Sequence, residues 1–437
     1  MKKKGQRDLD LKDFPEEILP PYSVSEEQLD AFYGKNNWRR MPDETYKRLR
    51  HEPESWTVEI HTVEVYVGTD GDHQDEFLRG NRPRDLLRNS IVTPSLLASI
   101  LNVKYVNSSA LHRIEQEFQR NGVNISRQTM SNWIVKCSQM YFTPFVERMK
   151  QELLSLHVTQ SDETPTQVIA DSDHPNSKCY MWVHRSGEFY TRRPIVVYEY
   201  QKGRDHQKPL DFYKDYKGVL VTDSLQQYHL VDKKLPDVTN ANCWAHARRK
   251  FDEALQTLPK EMQKDSPAAI GECYCSRLFK LEQAFAELTP EERYEKRLEQ
   301  EKPVLDALLS WANEMQAKTA PKSALGRAIH YLLEQCPYLT RYLEDGRLEL
   351  SNNRAERSIK PFVMGRKNWL FANTAGGAQA SSLIYSLIET AKENGLDPYR
   401  YLLWVLQNAP QLSETDETWA EKLLPANAPE ECYVPHK

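Results

Sequence analysis

A mixed α/β sheet, interrupted by an all-helical segment and preceded by a helical region, is the fold class that this sequence predicts. Three observations lead there. From residue 156 to about 258, short apolar or alternating runs take turns with helix-like stretches. From 259 to about 345 the alternation stops, and only helical periodicity remains. Between 93 and 155, apolar residues recur at spacings of three and four, the period of helices packed on one face.

Taken in order, residues 1–92 read as an N-terminal arm, rich in charge and proline, with one short β segment. That segment is WTVEIHTVEVYV, 56–67, whose polar–apolar alternation is the period of a half-buried strand. The acidic, turn-rich GTDGDHQDEFLRGNRPRD that follows, 68–85, reads as a loop. In 93–155 the stretches ALHRIEQEFQRNG and RQTMSNWIVKC flank an Asn-Gly turn, and Ser126 stands at the cap position of the second. This is the outline of a helix-turn-helix, in which Arg127 and Asn132 would face DNA; plain helix packing has the same outline.

The sheet begins at 156–258. HVTQSDETPTQVIA is a strand holding Asp162, and CYMWVHRSG and RPIVVYEYQ are two more. RDHQKPLDFYKDY is a helix, and KGVLVTDS is a short buried strand ending at Asp223. TNANCWAHARRKFDEALQTL is a brief strand running into a helix. Consecutive helices then fill 259–345. The α/β unit resumes over 346–409, where a helix apolar at Leu383, Ile384, Leu387, Ile388 and Ala391 stops before Gly395. Residues 410–437 read as an acidic, loosely packed tail.

The chain has 437 residues, room for two or three domains and a sizeable core. The formal net charge of −5 does not announce a nucleic-acid binder, so any phosphate contact must come from local basic patches. Seven scattered cysteines point to reduced thiols in a cytoplasmic protein rather than a disulfide framework. The basic opening MKKKGQRDLDLKDF lacks the apolar run of a signal peptide, and no 18-residue apolar run spans a membrane.

The chemistry concentrates in three carboxylates. SNNRAERSIKPFVMGRK, 351–367, places Glu356 among Arg354, Arg357, Lys360, Arg366 and Lys367 behind good helix-capping residues. Such an acid either balances charge on a solvated helix face or holds a divalent metal beside a phosphate that the cations grip. Asp162 and Asp223 sit on or after apolar strands, where an acid needs a hydrogen-bonded loop or a bound cation to compensate it. Three carboxylates of this kind suit a two-metal phosphodiester site. Cys243 and His246, three apart, are either part of a zinc site whose other ligands are not evident or a buried thiol beside a supporting histidine. Arg248 and Arg249, with Lys250, are a solvated face or a phosphate grip.

SDET at 161–164, VTDSLQQY at 221–228, CWAHARRKF at 243–251, LSNNRAERSIKPFVMGRKNWLF at 350–371 and LLPANAP at 423–429 resemble the insertion-sequence transposases of the IS-sixty-six type. The resemblance runs from about Thr93 to the tail. It implies a ribonuclease-H-like catalytic domain with Asp162, Asp223 and Glu356 as an Asp-Asp-Glu triad that binds Mg2+, with Mn2+ able to substitute. It also implies cleavage of element ends and strand transfer into target DNA by a homo-oligomer on DNA, with accessory proteins of the same element as further partners. Arg248, Arg249, Arg354, Arg357, Arg366 and Lys367 would hold DNA phosphates. The 259–345 helices would be the family's insertion, and Cys243 and His246 its Cys-x-x-His element, supporting the site from behind. Longer members begin with a Cys-rich zinc module, whereas no Cys precedes Cys137 here. Two alternatives stand beside this reading: a catalytically inactive, shortened DNA-binding remnant, and a structure-specific DNA nuclease.

Overall fold

The computed structural model describes residues 84–171, 178–190, 193–205 and 207–435, and before them residues 25, 27–28, 31, 35, 55–58, 65–67 and 77–79. The chain divides into a unit over Met1–Arg82 and a unit over Pro83–Lys437. In the first, strand β1 (Val65–Val67) pairs antiparallel with β2 (Phe77–Arg79). The predicted strand over 56–67 is therefore a strand at its end, while residues 55–58 take no regular structure and 59–64 lie outside the described residues. The predicted loop at 68–85 is corrected at Phe77–Arg79: three residues, two of them apolar, find a ladder partner inside the acidic run.

The second unit opens with helices α1 (Pro94–Leu101), α2 (Leu111–Arg120), α3 (Arg127–Cys137) and α4 (Thr143–Leu154). Between α2 and α3 the chain turns at Gly122, whose φ of +77° suits a residue without a side chain. Ser126 caps α3 by accepting the Thr129 N–H at 3.1 Å. Ile114, Phe118, Met130, Trp133 and Ile134 bury the shared face.

A five-stranded sheet follows: β3 (Val158–Thr166), β4 (Cys179–Ser186), β5 (Val196–Gln201), β6 (Gly218–Thr222) and β7 (Val238–Asn242). Its order is β5-β4-β3-β6-β7. The first three strands are antiparallel neighbours; β3–β6 and β6–β7 are parallel. Helix α5 (Gln207–Tyr213) leads into β6, and α6 (Gln226–Lys234) joins β6 to β7. Sequence reading missed α6, because LQQYHLVDKK buries only Tyr228 and Val231 and shows little apolar period.

After β7 come α7 (Trp244–Gln256) and the helices α8 (Lys260–Gln263), α9 (Pro267–Ala284), α10 (Pro290–Lys296), α11 (Lys302–Lys318) and α12 (Ala324–Leu339). Trp244, Ala247 and Phe251 of α7 share one apolar core with Val219 and Val221 of β6 and with Leu278, Leu308, Ile329 and Leu332 of these helices. The chain returns to the sheet through α13 (Asn353–Trp369), α14 (Ala375–Glu393) and α15 (Pro398–Thr415). Helix α14 covers the edge strand: Val196 N–H donates to Thr390 Oγ1 at 2.9 Å and Tyr198 N–H to Ser386 Oγ at 2.7 Å. Two of the outward donors of β5 are thereby satisfied, which blunts the edge. The tail is not loosely packed as predicted. Pro410 lies inside α15, and Trp419, Leu423, Leu424 and Cys432 are buried against the larger core.

Candidate functional site

The site is organised by the register of β3 on β6. Val158 pairs with Val219, Thr159 with Leu220 and Gln160 with Val221. Side chains alternate faces along a strand, so Val158, Gln160 and Asp162 share a face with Val219, Val221 and Asp223. Asp162 lies two residues past the last pair and Asp223 just after the end of β6, so the same register, extended, runs the two aspartates towards each other, and the Asp162 carboxyl feels the Asp223 charge.

Helix α13 is anchored to that face by β3 itself. The predicted Ser-Asn-Asn cap is not formed, since Asn352 makes no side-chain cap and is fully buried instead. Its Nδ2 donates to Ser161 O at 3.3 Å, while Gln160 Oε1 takes over the capping role and accepts the Ala355 N–H at 3.2 Å. Glu356 is the next residue along, and at the far end of the helix Arg366 donates to Thr164 Oγ1 at 3.2 Å. Helix α7 approaches from the side: Trp244 N–H donates to Leu350 O at 2.9 Å, and His246 Nε2 lies 3.1 Å from Glu356 Oε1. A carboxylate only accepts, so Nε2 carries the proton.

Asp162 feels the other two acids. Burial pushes the Asp162 carboxyl up to about 8, and the negative charges of Glu163, Asp223 and Glu356 push the same way. Among the described residues, Asp162 has no ion-pair partner; its Oδ1 accepts only the neighbouring Glu163 N–H, at 2.9 Å. Asp223 Oδ1 accepts the Leu225 N–H at 3.0 Å. Glu356 differs: its hydrogen bond from His246, with Arg249 4.0 Å away and Lys360 nearby, holds it below the usual carboxylate range. On the opposite face of β3, Glu163 is gripped by Arg204 and by Tyr228 OH at 2.9 Å. Sequence reading missed that pair and also Gln160, whose signal was its position two residues before Asp162.

The other predicted residues divide by what they touch. Cys243 is fully buried, and burial pushes its thiol up to about 12, so it stays protonated beneath the site. Arg248 donates to Glu272 at 2.9 Å, tying α7 to α9, and Arg354 lies 3.8 Å from both Glu349 and Glu393. Those two cations are engaged within the protein. Arg249, Arg357 and Lys367 are exposed, as are Arg127 and Asn132 on α3, where Asn132 Oδ1 accepts from Gln128 at 3.0 Å.

All three donors are hard carboxylate oxygens, and the charge pressed onto Asp162 is what a divalent cation relieves, so the donor chemistry fits Mg2+. Among the described residues, no three His, Cys, Asp or Glu side chains are drawn into a metal-ligating group. Among them, too, no helix is long and apolar enough to cross a membrane.

A mixed α/β sheet with acids where its parallel strands end, and a helix carrying a third acid to them, is an arrangement compatible with phosphodiester chemistry. Comparison with known proteins makes this specific. The family described as "Transposase IS66 family" matches residues 89–380, and the "IS66 C-terminal element" matches residues 386–426. The chain belongs to the IS66 family of transposases. Three similar proteins come from Sinorhizobium fredii (strain NBRC 101917 / NGR234). The "Uncharacterized protein y4qI" is 30% identical over 81% of this chain and 66% of its own length. The "Uncharacterized protein y4hP" is 27% identical over 72% and 59%. The "Uncharacterized protein y4jD" is 26% identical over 79% and 68%. The chain thus spans about two thirds of the curated relatives it matches.

Proposed function

We propose that this chain is a DNA transposase that cleaves the ends of an insertion sequence and joins them to target DNA, with Asp162, Asp223 and Glu356 as its catalytic triad on a ribonuclease-H-like sheet. The observation that supports the reading is the β3–β6 register, which runs towards both aspartates, together with the charges of Asp223 and Glu356 that act on the Asp162 carboxyl. The strand order, three antiparallel strands followed by two parallel ones, supports the ribonuclease-H-like assignment.

Asp162, Asp223 and Glu356 would hold Mg2+, or Mn2+ in its place, which when bound supplies activation of the attacking water or 3′-hydroxyl and stabilisation of the leaving oxygen. The chain's own contribution is orientation and charge. His246 keeps Glu356 ionised and fixes its rotamer. Gln160 and Asn352 lock the start of α13 to β3, so Glu356 cannot drift from Asp162. Arg249, Arg357, Arg366 and Lys367 are the cations available to hold DNA phosphates, giving binding that weakens with salt. Arg248 and Arg354, occupied by internal acids, take the lesser part. Exposed Arg127 and Asn132 on α3 supply a helix-turn-helix surface for DNA, and assembly as a homo-oligomer, with accessory proteins of the element, belongs to the same reading.

The test is Mg2+-dependent nicking and joining of DNA carrying the element's own ends. Asp162→Asn, Asp223→Asn and Glu356→Gln are each expected to lower both steps by about 100-fold or more, the scale of removing one group that stabilises developing charge. Wild-type rates in a folded variant would defeat the triad. Hydrolysis without joining would point to a nuclease instead.

A further inference from the structure

The C-terminal end of α13 carries a feature that the triad leaves unused. Leu370 adopts φ +67° and ψ −50°, and the Phe371 N–H donates back to Trp369 O at 2.8 Å. This is a γ-turn of the strained, positive-φ kind, a conformation that costs a bulky L residue free energy. The protein's interior gains little in exchange, because the Leu370 side chain is 64% exposed and Phe371 40%. Ile169, 52% exposed, lies on the adjoining segment, where its N–H donates to Ala372 O at 3.0 Å and the Ala372 N–H donates to Gln167 O at 3.0 Å. Three outward apolar side chains are thus braced on one knuckle.

A stripe leads to this knuckle from the triad. Lys360, Met364 and Lys367 follow Glu356 at helical spacing, Phe371 stands just past the helix end, and all four are exposed. From Glu356 to the helix end at Trp369 the rise is about 20 Å, the length of about six base pairs. Cations along the stripe match a phosphate backbone, and an aromatic–aliphatic tip matches the faces of bases.

We propose that Leu370 and Phe371 form a wedge that enters the base stack of bound DNA about six base pairs from the reacting phosphate. The strained turn holds the two side chains outward before DNA arrives. This inference rests on the reading of the chain as a DNA-processing transposase, and its test separates the two.

Full-length protein is titrated by fluorescence anisotropy against a 30-base-pair duplex and against the same duplex with two central mismatches, whose bases unstack cheaply. Wild type is expected to prefer the mismatched duplex by at least about fivefold, the low end of what stacking one base on an aromatic ring gives. Phe371→Ala and Leu370→Gly should bring that ratio towards one, whereas Lys367→Ala weakens both duplexes and keeps it. Leu370→Gly relieves the turn, so its melting temperature should not fall, which separates loss of the wedge from loss of the fold. Binding of both duplexes without preference in wild type, or a preference that survives both knuckle variants, overturns the wedge and leaves the DNA reading standing. Failure to bind either duplex at low salt overturns both. Knuckle variants that change self-association but not the ratio also overturn the wedge, assigning the surface to a second copy of the chain.

Discussion

Glu282 in α9 and Asp162 in β3 are both acids whose carboxyls burial works to raise, and the chain treats them in opposite ways. Burial works to raise the Glu282 carboxyl, but Arg297 meets it with Nε at 2.6 Å and NH2 at 2.8 Å, Arg293 adds a second fork at 2.6 Å, and the net result is an acid held below its usual range. Asp162 has acids around it and, among the described residues, no cation in contact, and its carboxyl rises. The first arrangement is complete within the protein: Arg297 also donates to Tyr342 O, Asp345 O and Leu348 O, fastening the segment that returns to α13. The second is incomplete in charge. Glu282 is neutralised from within the protein; Asp162, on the function proposed above, is the acid left for a cation from outside.

The contrast can be broken at its structural pole first, where the effect is largest. Arg297→Ala leaves Glu282 buried with half its compensation gone and is expected to cost about 3–5 kcal/mol in denaturant unfolding. A loss below about 1 kcal/mol would mean that the forks carry little and that compensation is no guide to role.

A smaller effect sharpens the same comparison. Glu301, one turn from Arg297, is fully buried; burial pushes its carboxyl up to about 8, with the Glu282 charge acting the same way. Its folded value lies above its unfolded value near 4.5, so this group's stabilisation is complete below about pH 4.5 and is lost as the pH rises to about 8. Glu301→Gln cannot ionise. Its melting temperature relative to wild type should therefore be higher at pH 8.5 than at pH 5.5, with the gap between the two conditions about 2 °C or more. An equal offset at both pH values would contradict the assignment.

Much of the sheet was legible in advance. Strands β4 to β6 announce themselves through β-branched and aromatic runs, and Asp162, Asp223 and Glu356 through their placement in or after strand-like stretches and through a motif. What the sequence does not carry is neighbourhood. Nothing in HVTQSDETPTQVIA states that it lies between β4 and β6, so the register that aligns the two aspartates emerges only from the folded sheet. The capping of α13 was misread for the same reason: Ser351-Asn352-Asn353 has the local chemistry of a cap, but Gln160, 195 residues upstream of Ala355, supplies it. The tail was misread through its acids, since a few residues, Trp419, Leu423 and Leu424 among them, decide how it packs.

The central claim is that Asp162, Asp223 and Glu356 act together as one receptor for divalent cations. Isothermal titration of Mn2+ into the full-length protein tests it most directly. Saturable binding that weakens about tenfold or more in Asp162→Asn and again in Asp223→Asn is the result this account predicts. Binding of unchanged affinity in the folded double variant, Asp162→Asn with Asp223→Asn, would contradict it.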